Sequence, residues 1–472
     1  MQLTQLTFLT GGQATGEAAF DRVTDRLDEV RQGTLFVCVR GGRRDTHEDV
    51  PLILAKGASA IVCERKLDVP LPQLIVGDTR KALGQIAHAL AGDPTRTLKL
   101  VGVTGTNGKT SICYILRKVF AKAGYKCCYI GTLGVVDEKG QTSETPLTTP
   151  DTLDLVDMLQ GMAARGVQFV FLEVSAHAAH FKKVAGCRFA AMILTNLTQD
   201  HLDFFGNMAE YASAKRSLFD PSITTLGIVN TDDELGRNIL RARPVPILSY
   251  GLYNPADVFA ILMREGAEGM DFTVNAYDMI YRVKTTLHGE WSVYNVLAVA
   301  TAAGYFGIAP ATVQQVLTDV QVPGRFSVVQ KGGVYYVIDY AHTPDGLDKS
   351  LKTARAMTSG RVFAVFGCGG ERDRDKRAKM GRIAAKGADY VIVTSDNPRS
   401  EKPMDIARDI EAGMSGDERA EICLDRSDAI RLAAKLAGEG DVVLIAGKGA
   451  ETYLEQDGKR IPYSDFDVVD GL

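Results

Sequence analysis

A chain of 472 residues exceeds one ordinary hydrophobic core and predicts two to four domains. Its 54 basic and 58 acidic residues leave a formal charge of -4, so no global field favours nucleic acid or an anionic membrane, and any anion site has to be local. MQLTQLTFLT at the start lacks the basic stretch and apolar core of a signal peptide, and no apolar run approaches the ~20 residues of a membrane span; a cytoplasmic protein without membrane insertion is expected.

In chain order, residues 1–92 alternate short apolar strands such as TLFVCV and SAIVCE with a helix at VPLILAKGA, which predicts a small N-terminal α/β domain. AGDPTRT reads as a linker. From Leu98 the pattern becomes KLVGVTG, a helix from about Thr110 to Ala123, then KCCYIG, FVFLEVS and AAMILTN, a parallel doubly wound sheet within a central domain over residues 93–326. After VPGRFSVV near Arg325, the strands VYYVIDY, RVFAVFG, DYVIVTS and DVVLIAG alternate with helical stretches such as MDIARDIEAG, predicting a Rossmann-like α/β domain over residues 327–472. The eight cysteines lack metal-type spacing and read as reduced core residues.

The junction VGVTGTNGKTS is the chemically richest stretch. Gly105 and Gly108 let the backbone turn its amides towards one anion, and the helix that follows adds the positive end of its dipole. Lys109 supplies a mobile point charge, and Thr110 places a hydroxyl where phosphate loops bind Mg²⁺. Val103 stands at the first glycine position of the strict phosphate-loop pattern, which points to a narrower group than ATPases at large. Glu173 ends the strand FVFLEVS, and His201 follows the strand AAMILTN. Either alone could be a structural polar residue. Together, at successive strand ends beside a phosphate loop, they favour a metal-assisted site.

With GTNGKT (Gly105 to Thr110), EVS-H (Glu173 to His177), DHLD (Asp200 to Asp203), Arg325 and DYAHTPD (Asp339 to Asp345) in order, the chain resembles the ATP-dependent Mur ligases of peptidoglycan synthesis. PLTTPD, FGCGGERDRDKR, SDNPRSE and AGKGAE draw it to the branch that adds the third amino acid. The resemblance implies a three-domain α/β fold: a small N-terminal domain for the UDP-linked substrate, a central phosphate-loop domain and a C-terminal domain for the amino acid. It further implies ATP and Mg²⁺, a monomer, and a reaction in which the carboxylate of UDP-MurNAc-L-Ala-D-Glu is phosphorylated and then attacked by an amine.

Carried over residue by residue, the resemblance gives Lys109, Glu173, His201 and Lys215 catalytic parts, with Thr110, Glu173, His201 and Lys215 as metal ligands. Read from the residues alone, Lys215 is a solvated lysine; the resemblance makes it carbamylated, an N6-carboxylysine. ATP would be held by Gly105, Thr106, Asn107, Gly108, Lys109, Thr110 and Ser111, and by Asn295, Arg325, Asp339 and His342. Asn295 on its own could be a helix-start cap. The UDP-linked substrate would touch Thr24, Asp25, Gly42, Arg43, Arg44, Thr148, Thr149, Ser175 and Lys183, although RGGRRDTH alone could be a solvated basic turn.

The amino acid would be met by Arg372, Asp396, Asn397, Pro398, Arg399, Gly447 and Glu451, again by resemblance. DNPR follows the strand DYVIVTS, so Arg399 is expected to project into the crevice at the strand's carboxyl end, the alternative being a turn set by Pro398. In the family this motif accompanies meso-2,6-diaminopimelate. A second carboxylate there would pair with Arg399, and lysine would leave a buried guanidinium unpaired. The competing readings are the same ligation with L-lysine, a folylpolyglutamate synthase-like ligase, and a nucleotide-binding homologue without catalysis.

Overall fold

The computed structural model describes residues 1–41, 44–266, 268–414 and 420–472, without the side chain of Asp203. Gly42 and Arg43, two expected contacts to the UDP-linked substrate, lie outside the described residues. The described residues build three main sheets of five, eleven and six strands, with a two-stranded hairpin at Tyr453–Gln456 and Lys459–Pro462.

The first sheet runs Gln13–Ala14, Gln73–Ile75, Ala60–Cys63, Thr34–Val37, Arg22–Thr24, parallel except at its first strand. At the centre of the eleven-stranded sheet, Lys99–Thr104 lies between Phe169–Glu173 and Phe189–Leu194, all parallel. Alternation along these strands sends Val101, Val103, Phe171 and Ile193 into one core and Leu100, Leu172, Met192 and Leu194 into another, so both faces are buried and the strands read as continuous apolar runs. The helices Lys109–Lys122 and Glu290–Tyr305 pack against each other over the first face. The parallel centre is as expected, but the sheet is mixed: Gly134–Val136 with Thr142–Ser143, and the meander Val258–Gly266, Gly269–Ala276 and Met279–Thr285, add antiparallel wings. The wing strands differ from the centre in exposure, with Ile261, Leu262, Met279 and Ile280 facing solvent.

The third sheet orders Ser327–Lys331, Val334–Asp339, Val442–Ala446, Val362–Phe366, Tyr390–Val393 and Ala420–Ile422, parallel after its first strand. AGDPTRT is no loose linker: a 3₁₀ turn at Pro94–Arg96 buries Pro94 and Thr95, and Thr95 accepts from the Arg188 amide. All eight cysteines are free thiols, seven of them buried. Among the described residues no helix is long and apolar enough to cross a membrane.

Candidate active site

Because Lys99–Thr104, Phe169–Glu173 and Phe189–Leu194 are adjacent and parallel, their carboxyl ends deliver the loop at Gly105 to Gly108, the carboxylate of Glu173 and the segment leading to His201 to one place. The loop needs its glycines. Gly105 has φ 146° and a Cβ there would meet Thr195 Oγ1 at 1.7 Å; Gly108 has φ 90° and its Cβ would meet Asn295 Oδ1 at 2.6 Å. Asn295 therefore faces the loop from within the helix Glu290–Tyr305 and is not a helix-start cap. Asn196 fastens the loop through its Oδ1 to the Asn107 amide at 2.9 Å, and Thr195 donates to the Asn107 carbonyl. Lys109 Nζ donates to the carbonyls of Gly105 and Thr106, at 3.0 and 2.8 Å, so the ammonium lies folded over the loop.

Glu173 is fully buried, yet its carboxylate is surrounded by donors: Thr110 Oγ1 at 3.0 Å, the Thr132 amide at 2.9 Å, Thr132 Oγ1 at 3.2 Å and the Tyr129 hydroxyl. Thr110 Oγ1 also accepts from Arg325 Nη2 at 3.0 Å, which ties the segment leading into the third sheet to the metal-type pair. Thr110 and Glu173 form an all-oxygen donor pair at the foot of the phosphate loop, the chemistry a hard cation such as Mg²⁺ selects. Among the described residues no group of three or more His, Cys, Asp or Glu side chains is gathered for a metal. Such a cation would therefore complete its shell with water and phosphate oxygens, as Mg²⁺ commonly does.

His201 sits in the left-handed region at φ 54°, its Nε2 3.4 Å from Asp200 Oδ2 and its ring 4.8 Å from that of His177. Burial pulls its pKa below the usual imidazole value, partly opposed by Asp200, which keeps a lone pair available at neutral pH. Lys215 departs from the solvated reading: it is 1% exposed, with Nζ 4.6 Å from the Tyr211 ring centroid. Burial, and next the charge of Lys109, push its amine well below the usual lysine pKa.

The strands Val334–Asp339, Val442–Ala446, Val362–Phe366 and Tyr390–Val393 likewise end side by side, bringing together Asp339, Gly447, the loop carrying Arg372 and the DNPR turn. Asp339 accepts from the amides of Phe326 and Tyr340 and from Ser350 Oγ, while His342 Nδ1 lies 2.8 Å from the Tyr340 carbonyl. Asn397 Nδ2 donates to Glu451 Oε2 at 3.0 Å. One cleft of 1110 Å³ runs from the phosphate loop, Glu173 and His201, past Asn295, Arg325, Asp339 and His342, to Arg372, Asp396, Asn397, Arg399, Gly447 and Glu451. Its two walls touch where Asn107 Nδ2 meets Asp345 Oδ2 at 3.5 Å.

One expectation needs correction. Arg399, at φ 54°, turns towards the hairpin, where Nε pairs with Glu455 Oε2 at 3.2 Å and Nη1 donates to the Gly370 carbonyl at 2.6 Å. A substrate lacking the distal carboxylate would not leave this guanidinium unpaired. Pro398 fixes the turn from behind, its carbonyl 2.0 Å from where a Cβ on Gly370 would stand.

The residues expected to meet the UDP-linked substrate divide. Thr148 and Ser175 line the cleft, and Thr149 beneath them donates to the Glu173 carbonyl at 2.8 Å. Thr24, Asp25, Arg44 and Lys183 do not line it: Thr24 donates to Glu29, Arg44 is exposed and paired with Asp49, and Lys183 pairs with Asp151. Asp25 is half-buried, its pKa raised by desolvation. Residues that sequence reasoning passed over include Tyr129 and Thr132 on Glu173, Asn196 on the loop, and Lys448 beneath Asn397. Tyr129 lies inside an apolar strand and carries no local signal, whereas Lys448 falls inside the AGKGAE motif, from which only Gly447 and Glu451 were singled out.

Two family models match: the Mur ligase middle domain over residues 103–303 and the Mur ligase glutamate ligase domain over residues 324–449. The chain is 42% identical over 464 residues to the UDP-N-acetylmuramoyl-L-alanyl-D-glutamate--2,6-diaminopimelate ligase of Geobacillus kaustophilus, covering 96% of this chain and 94% of the relative. A solved structure of a ligase of the same name superposes with a TM-score of 0.71 at 33% identity, covering 96% of this chain and 94% of that one. The folylpolyglutamate synthase of Mycobacterium tuberculosis shares the fold, with a TM-score of 0.65 at 18% identity, over 78% of this chain and 92% of its own. Two models that together cover more than half of the sequence, and a relative matched almost end to end, place the chain in the Mur ligase family of ATP-dependent ligases.

Proposed function

We propose that this protein joins meso-2,6-diaminopimelate to the D-glutamyl carboxylate of UDP-MurNAc-L-Ala-D-Glu, converting ATP to ADP and phosphate. The observation that carries the reading is the continuous cleft between the phosphate loop with its Thr110–Glu173 pair and the Asn397–Glu451–Arg399 group. On this reading the three α/β units divide the work at 1–92, 93–326 and 327–472. The first helps hold the UDP-linked substrate, the second the nucleotide, and the third the amino acid.

Lys109 and the loop amides face the transferring phosphoryl, where preorganised charge stabilises the transition state without further reorganisation. Arg325, already on Thr110, brings a second cation from the opposite wall. Thr110 and Glu173 would hold one Mg²⁺, and His201 would help hold another; bound there, Mg²⁺ would screen the repulsion between acceptor carboxylate and phosphoryl oxygens. Lys215, whose ammonium burial disfavours, is suited to take up CO₂ as a carbamate, which would turn a buried cation into an oxygen ligand. The acyl phosphate formed on the glutamyl carboxylate is then attacked by the amine, closing the amide and releasing phosphate. Arg372, Asn397, Arg399 and Glu451 would align the amino acid for that attack.

The test is phosphate release with UDP-MurNAc-L-Ala-D-Glu, Mg²⁺ and ATP, with and without amine. Turnover that requires diaminopimelate is expected, with lysine a poor substitute. Absence of amine-dependent turnover, or equal kcat/KM for the two amines, overturns the reading. In the same assay Arg399→Ala is expected to raise KM for diaminopimelate about 10- to 100-fold, the range of a charge-assisted pair, while changing lysine turnover little.

A further inference from the structure

Beneath the amino-acid end of the cleft lies a lysine that the proposed mechanism does not use. Lys448 is 0% exposed, and its Nζ donates to Asn397 Oδ1 at 3.0 Å and to Glu451 Oε2 at 3.0 Å, with Asp396 Oδ1 at 3.7 Å. The backbone N–H of Glu455 points at the same Asn397 Oδ1 from 2.9 Å. These two donors decide which way the Asn397 amide faces. Flipped, its NH₂ would confront an ammonium and an N–H, donor against donor; as observed, the oxygen receives both and Nδ2 donates to Glu451 Oε2.

The consequence reaches the cleft, which both Asn397 and Glu451 line. Glu451 Oε2 is occupied by two donors, Lys448 and Asn397, while no hydrogen bond among the described residues engages Oε1. The second N–H of Asn397 is likewise left for a ligand. The pocket therefore offers an acceptor of negative charge beside an amide donor, which is complementary to an ammonium next to a carboxylate.

We infer that Lys448 is a positioning residue that fixes the polarity of this pocket, and thereby selects an amino acid whose non-reacting end is itself zwitterionic. The inference rests on the ligase reading above, in which the acceptor amino acid occupies this end of the cleft. Lys448 touches no substrate atom and acts through Asn397 and Glu451. Without its charge, the buried Asp396 and the partly buried Glu451 would both lose their counter-charge, and the Asn397 amide would lose a partner that sets its orientation.

The measurement is the ratio of kcat/KM for diaminopimelate to that for 2-aminopimelate, which keeps the reacting amine and distal carboxylate but lacks the distal ammonium. Wild-type turnover of diaminopimelate in this assay checks the ligase reading independently. Given that turnover, the wild type is expected to prefer diaminopimelate by about 10²-fold or more, because the analogue leaves Glu451 without its counter-charge. In Lys448→Met the ratio should fall to about tenfold or less, with KM for ATP and for the UDP-linked substrate near wild type. A lysine with only a structural role would lower both amines' turnover together and leave the ratio intact. If Lys448→Met does not fold, by circular dichroism, the ratio is read in Lys448→Gln, which keeps a donor but not the charge, and should be intermediate. A wild-type ratio in either folded, uncharged variant, or a wild-type enzyme that does not distinguish the two amines, overturns the inference.

Discussion

Lys215 and Lys109 are chemically the same side chain set to different uses by what surrounds them. Lys109 has loop carbonyls to donate to, which favour its ammonium against a burial that, taken alone, lowers its pKa. Lys215 is buried against the Tyr211 ring with Lys109 as an electrostatic neighbour, which disfavours its charge. If a carbamate forms there, what Lys215→Ala removes is a carboxylate. Activity is expected to drop by about 10²-fold, in line with loss of an electrostatic support, and short carboxylic acids such as acetate or formate should partly restore it. Unchanged activity in Lys215→Ala, measured as amine-dependent phosphate release, would remove the carbamate from the mechanism.

At the scale of elements, the site is made by strand order. Glu173 lies 69 positions beyond Thr104 in the numbering, but their strands pair directly, with Glu173 in register with Val103. The loop between Thr104 and Lys109 is narrow enough to admit only glycine at Gly105, where a methyl would strike Thr195 and the backbone adopts φ 146°. Gly105→Ala is therefore expected to keep the fold, read by circular dichroism, while ATP affinity falls about 10- to 100-fold from loop strain of a few kcal/mol. Calorimetric titration with a non-hydrolysable ATP analogue checks this, and wild-type affinity would show that the loop relaxes without cost. Thr148, Thr149 and Ser175 were legible as motif residues; at the end of the Glu173 strand Thr149 and Ser175 bond each other, while Thr148 meets Thr132. The antiparallel wings were not legible, because a short apolar run such as that at 258–263 does not show in which direction a strand pairs.

Across the whole molecule, the first and second units meet at a buried seam. The helix Thr79–Leu90 presses Gly84 against the Ala185 carbonyl so closely that a Cβ would stand 2.1 Å from the oxygen, and His88 Nε2 lies 3.4 Å from Cys187 Sγ. Burial lowers the His88 pKa from 6.5 to about 4, against a smaller opposing pull from Asp93. The unfolded chain thus binds more protons here than the folded one between those values. The stabilising contribution is complete above pH 6.5 and is lost as pH falls towards 4, by up to about 3 kcal/mol. Thermal unfolding of the wild type should show Tm falling across this window, and His88→Leu should flatten that part of the profile. An identical pH dependence in the two proteins would show that the seam histidine is not responsible.

What the sequence determined by itself was local and periodic. Strand and helix alternation, the glycine-bearing phosphate loop, Glu173 and His201 at strand ends, and the DNPR turn all follow from steric and hydrophobic rules that act over a few residues. Tertiary structure alone decided the partners. It buried Lys215, drew Asn295 onto the loop, paired Arg399 with Glu455, and placed Lys448 under Asn397 and Glu451. A side chain's charge state and the direction of its hydrogen bonds depend on what surrounds it in space, and Asn295 beside Gly108, Arg399 beside Glu455 and Lys448 beside Asn397 are pairs that lie far apart in sequence.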